Sequence, residues 1–89
     1  MPQQKRAGMK SESYNGHHCW NCWNVALWLG DDELLYRAAM SYAYQIRDKH
    51  INATVAARRF IKSYALETTP DGAIYTVRAV RSALTGFLE

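Results

Sequence analysis

Beyond residue 20, apolar residues recur at spacings of three and four, and this periodicity predicts helices through most of the chain. From Asn21 or Cys22 to Leu29 a short helix is expected, with Trp23, Ala26 and Leu27 on its apolar face and Gly30 as its C-terminal cap. Asp31 and Asp32 then offer caps for a second helix, with Glu33 adding charge of the sign that the macrodipole favours. Its stripe is Leu35, Ala38, Ala39, Tyr42 and Ile46, with Arg37 and Arg47 off the stripe, and the pattern breaks at Asp48-Lys49-His50. A third helix is expected from Asn52 or Ala53 to Leu66, with Val55, Ala56, Phe60 and Tyr64 inward and Arg58, Arg59 and Lys62 outward. Thr69 as N-cap and Pro70 at the first helical position open a last helix that reaches Leu88, striped by Ile74, Val77, Arg81 and Leu84. The run Ala73 to Val77 is β-branched and follows Asp-Gly, so it also reads as a strand. A lone strand has no mate here, and helix is the reading kept.

The expected fold is therefore all-α, a compact small bundle of about four helices, one short and three longer. Residues 1–13 are polar and without periodicity, which predicts a flexible, disordered N-terminal tail, and residues 14–89 form a single helical domain. Three tryptophans fall within nine positions, Trp20, Trp23 and Trp28, and in a chain of 89 residues they are expected to set most of the core. With 48% hydrophobic residues the chain is too apolar to be disordered along its length. It has no apolar run long enough to span a bilayer, and its first ten residues lack the apolar centre of a signal peptide, so no membrane partner and a cytosolic location are expected.

The sharpest chemical signal is His17-His18-Cys19-Trp20-Asn21-Cys22, which joins imidazoles to a CxxC spacing that zinc accepts. Structural zinc sites draw on two separated ligand pairs, and no second pair exists, His50 being the one other candidate. The expectation is no metal and no cofactor, with His17, Cys19 and Cys22 the residues to watch. The same CxxC reads as a redox pair, but thioredoxin-like chemistry places it after a strand, a context absent here. The plainer assignment puts Cys22 near the helix N-cap and Cys19 in apolar packing. No nucleophile motif, phosphate loop or spaced carboxylate pair is present, and the chain reads as a non-enzyme.

The net charge of +3 permits nucleic acid or an acidic protein surface as partner. Arg47, Lys49, Arg58, Arg59 and Lys62 lie on or between the second and third helices, and such a group can hold phosphates or carboxylates. The third helix lacks the Asn, Gln and Arg array of a base reader, which argues against sequence-specific DNA binding. Tyr44 sits beside the stripe of its helix and is expected to be exposed, whereas Tyr36, Tyr42, Tyr64 and Tyr75 are expected to fill the core. Tyrosine with arginine is the composition of interface hot spots, which makes Tyr44 and these five cations the candidate partner-binding residues.

The stretch Tyr14-Asn15-Gly16, then Trp23-Asn24-Val25-Ala26-Leu27-Trp28-Leu29, then Asp32-Glu33-Leu34-Leu35-Tyr36 resembles a family of small phage- and plasmid-encoded proteins with a Tyr-Glu-Thr-Trp-Asn-Val-Ala-Leu-Trp type motif. The chain departs from it at Trp20-Asn21-Cys22 and in the His-His-Cys run. The resemblance implies a mobile-element origin and a host bacterial cytoplasm, with no catalytic residues to carry over. By association it implies a counter-defence protein, such as an anti-CRISPR, that occupies a surface of a host Cas complex or other defence assembly. The alternative is a nonspecific nucleic-acid-binding accessory protein using the basic helical face.

Overall fold

The computed structural model describes residues 19–88, so the expected tail at 1–13 and His17 lie outside the described residues. Four helices form a compact all-α bundle: α1 Trp20–Asp31, α2 Glu33–Arg47, α3 Ala53–Ser63 and α4 Val77–Gly86. Each starts on a side-chain cap. Cys19 accepts from Cys22 N–H, Asp32 from Leu35 N–H, Asn52 from Val55 N–H and Thr76 from Ala79 N–H. Helix α2 is further fastened by a Glu33–Arg37 pair at 2.6 Å one turn apart.

The core holds Val25, Leu29, Phe60, Val80 and Leu84, closed by alanines from α2, α3 and α4 and by Cys22. Complete burial of each of the five large side chains is worth about 1.5–3 kcal/mol. The stripe expected on α2 stands: Ala39 is buried, and Leu35, Ala38, Tyr42 and Ile46 pack against the core. Ala56 and Phe60 of α3 are also inward as expected.

Several expectations are corrected. The tryptophans do not set the core: Trp20 is 39% exposed and Trp23 and Trp28 are half-buried. The buried face of α1 is instead Cys22, Val25 and Leu29 with Asn24, rotated away from Trp23 and Leu27. Gly30 does not cap α1, which continues to Asp31 with Asp32 as its C-cap. Asp32 thus ends one helix and starts the next. Among the tyrosines, Tyr36 and Tyr64 are exposed, whereas Tyr75 is buried.

Helix α3 ends at Ser63, three residues before the expected Leu66. Leu66 N–H bonds Ile61 C=O and Ala65 N–H bonds Lys62 C=O, a Schellman closure in which Ala65 takes φ 50°. Helix α2 ends in the same way, with His50 N–H on Gln45 C=O, Lys49 N–H on Ile46 C=O and Lys49 at φ 64°. Both left-handed positions carry a side chain where glycine is the usual occupant, so no glycine marks either stop, although the apolar pattern does break at Asp48-Lys49-His50.

The last helix does not start at Thr69 and Pro70. Thr69-Pro70-Asp71-Gly72 is a β-turn, closed by Gly72 N–H on Thr69 C=O at 2.9 Å, with Pro70 at its second position and Gly72 at φ 93°. The chain then doubles back, with Thr69 N–H on Ala73 C=O, Tyr75 N–H on Glu67 C=O and an antiparallel bridge between Thr68 and Ile74. The extended reading of Ala73 onward finds its mate in the segment just before the turn. Turn chemistry prevailed over the cap reading, because Thr-Pro-Asp-Gly satisfies a turn at every position. Ile74, expected in a buried stripe, is 56% exposed.

Candidate functional site

The turn is held by α1, and the Trp-Asn-Val-Ala-Leu-Trp stretch explains how. Asn24, 1% exposed, donates from Nδ2 to Asp71 Oδ2 at 2.9 Å and accepts from Thr69 Oγ1 at 2.6 Å. Trp28 Nε1 donates to the same Asp71 oxygen at 3.0 Å, and Thr69 Oγ1 accepts from Ala73 N–H. One turn earlier, Asn21 bonds both backbone groups of Ile74 at 2.8 Å. Val25 and Leu29, the residues that follow Asn24 and Trp28, bury the adjoining side of the helix in the core. The hydrogen bonds from Asn24 and then Trp28 hold the Asp71 carboxyl below the usual carboxylate range. The motif is thus a clamp on the turn. Beside it lies a recess lined by Trp28, Leu35, Leu66, Pro70 and Tyr75, with Asp31, Asp32 and Glu67 at its edge. Burial, and then the Asp32 charge, push the Tyr75 hydroxyl above its ordinary range.

With α1 committed to the turn, the outer face is built by α2 and α3. A groove of about 750 Å³ runs between them, lined by Leu34, Arg37, Ala38, Ser41, Tyr42 and Gln45 from α2, by Arg59 and Ser63 from α3 and by Tyr64, the C-cap of α3. Two tyrosines in it rest on one buried ring. Tyr42 stacks on Phe60 at 5.6 Å and 29°, and Tyr64 meets Phe60 edge-on at 5.4 Å and 82°. Phe60 is fully buried, so it fixes the bodies of both side chains while Tyr64 stays 37% exposed. Leu34 at the same groove is 64% exposed. Arg37 is engaged by Glu33, whereas Arg59 makes no ion pair among the described residues.

The candidate cations do not share one face. Arg59 faces α2 in this groove. Arg58 lies one turn from Thr54, which accepts from Arg81 of α4 at 3.4 Å, and Lys62 lies one turn further, so these two follow the edge of α3 toward α4. Arg47 pairs with Asp48 at 3.2 Å, stacks over Tyr44 at 4.9 Å and borders a recess with Leu84 and Thr85. Lys49 lines a separate hollow with His50 and Ile51 at the α2–α3 connection. Tyr44 is 44% exposed, as expected. Sequence reasoning missed Leu34 and Tyr64 as exposed residues. Leu34 carried a signal, being an apolar residue off the α2 stripe, whereas Tyr64, one turn after Phe60, reads as inward.

The cysteines take roles opposite to those expected. Cys19 is the N-cap of α1 and half-buried, and Cys22 is the one packed in the core at 2% exposure. Their sulfurs are 3.4 Å apart. Burial pushes the Cys22 thiol up to about 11, reinforced by its hydrogen bond to Cys19. Burial also acts upward on Cys19, but the Cys22 amide and thiol outweigh it, aided by the Asn21 amide and the Arg78 charge, and hold Cys19 below the ordinary thiol range. Among the described residues no three His, Cys, Asp or Glu side chains converge on a common point. No helix among those residues is long and apolar enough to cross a membrane.

No curated protein and no solved structure matches this chain. Residues 10–83 match the family described as "Family of unknown function (DUF7249)", a span that contains the α1 clamp, the turn and both walls of the groove. The chain belongs to the DUF7249 family.

Proposed function

We propose that this chain is a non-enzymatic protein-binding domain that docks through the α2–α3 groove and acts by occupying the surface of a host protein assembly. The observation that carries the reading is the pair of tyrosines fixed on Phe60, beside the exposed Leu34 and Arg59, which makes no ion pair among the described residues. Interface hot spots are built from tyrosine and arginine around an apolar centre, and side chains already immobilised lose little entropy on binding. The Arg59 charge suits a partner that presents a carboxylate at the groove. A counter-defence role, with a Cas or related complex as target, is the use that the resemblance to mobile-element proteins suggests.

The test is phage plating on a strain with an active defence system, with and without this protein, together with binding to the purified defence complex. Arg59→Glu with Tyr64→Ala should abolish both effects while the melting temperature stays close to that of the parent. A folded double mutant that protects phage and binds as well as the parent overturns the docking face. Retention of the complex at raised salt after nuclease treatment supports a protein interface. Loss of all binding under those conditions supports instead the nucleic-acid reading through Arg58 and Lys62.

A further inference from the structure

We propose that Cys19 and Cys22 form a thiol–disulfide exchange site in which Cys19 attacks an external low-molecular-weight disulfide and Cys22 resolves the adduct. The geometry is asymmetric in the sense that such chemistry needs. Cys19 caps α1 and is half-buried, whereas Cys22 is 2% exposed and packed in the core. Their sulfurs lie 3.4 Å apart, and a disulfide bond of about 2.05 Å requires only a small approach of Cys19, since Cys22 is held by the core. Cys19 has extended backbone angles, φ −163° and ψ 169°, so its side chain moves without unwinding the helix. The Cys22 amide points at the Cys19 sulfur, and Arg78 on the adjacent α4 adds positive charge. Both favour the thiolate on Cys19, in keeping with its lowered pKa, while the buried Cys22 stays protonated until an adduct forms.

The chemistry balances as follows. The Cys19 thiolate attacks one sulfur of the external disulfide, whose S–S bond breaks and releases one thiolate that takes up a proton from water. Cys22 gives its proton to water and attacks the Cys19 sulfur of the mixed disulfide, expelling the second thiolate. The two protein thiols are oxidised to one disulfide, and the external disulfide is reduced to two thiols.

The test uses the full chain, reduced and then incubated with oxidised glutathione at neutral pH, with intact mass read over time. The parent protein should lose two hydrogens without lasting adduct. Cys22→Ala should instead accumulate a glutathione adduct on Cys19, at a rate roughly tenfold above adduct formation on Cys22 in Cys19→Ala. Iodoacetamide labelling of Cys19 in Cys22→Ala should reach half its maximal rate at a pH below that of free glutathione, and Arg78→Gln should shift that pH upward. A parent protein that keeps both thiols through the incubation overturns the proposal. So does faster adduct formation on Cys22 than on Cys19, read in the melting-temperature range where both variants are folded.

Discussion

Asn24→Ala removes an amide that is 1% exposed and joins α1 to two residues of the Thr69–Gly72 turn. Its bond to the Asp71 carboxylate is made to an exposed group, so water takes over that acceptor and little stability is lost there. Thr69 is different, being 3% exposed, and its hydroxyl proton is left without its acceptor, which costs about 1–3 kcal/mol. The expected cost is therefore about 1–3 kcal/mol, carried by Thr69. A domain of this size has about 5–15 kcal/mol in all. At about 4–8 °C per kcal/mol, the melting temperature falls by roughly 4–24 °C. Thermal and urea unfolding followed by circular dichroism measure this directly. Thr69→Val breaks the same bond from the other side, so the double mutant should cost about 1 kcal/mol less than the sum of the two single mutants. A change below about 0.5 kcal/mol in Asn24→Ala, or strict additivity in the cycle, would refute the clamp.

The remaining predictions concern the core, the helix ends and acid. Leu29→Ala should cost about 2–5 kcal/mol and Phe60→Ala about 3–5, whereas Trp20→Ala should cost no more than about 1, all read by urea unfolding. Ala65→Gly should stabilise by somewhat under about 1 kcal/mol, because it relieves a left-handed residue at φ 50° while loosening the unfolded chain. Because its carboxyl titrates lower when folded, Asp71 contributes stability that is complete above its unfolded value of about 3.9 and is lost as pH falls through the lowered native one. Trp28 fluorescence should report that loss in an acid titration, and Asp71→Asn should remove the transition.

Where the sequence was a sufficient guide, one physical signal dominated. The α2 stripe was legible because its apolar period was uninterrupted, and its start was legible because an acidic cap precedes it. Helix α1 misled because its tryptophans outweigh Val25 and Leu29 in any reading by size, although the interior chose the smaller residues. The exit of α3 was hidden because Ala65 fills a position at which glycine would have announced the stop. Thr69 and Pro70 fit a helix start as well as a turn, and the turn that prevailed is tied down by Asn24, 45 residues earlier. The groove was less legible than the fold. Its composition of tyrosine and arginine was visible, but the division of α3 into one edge toward α2 and another toward α4 is a property of packing.

Seven of the fourteen buried apolar residues named among the described positions are alanine: Ala39, Ala43, Ala56, Ala57, Ala73, Ala79 and Ala83. An alanine has no rotamers to lose, so half of this interior becomes ordered without a side-chain entropy penalty. The same residues remove little apolar surface from water, and the heat capacity of unfolding scales with that surface. The bundle should therefore have a flatter stability curve than a leucine-filled one of equal length, holding its folded population more evenly between low and high temperature.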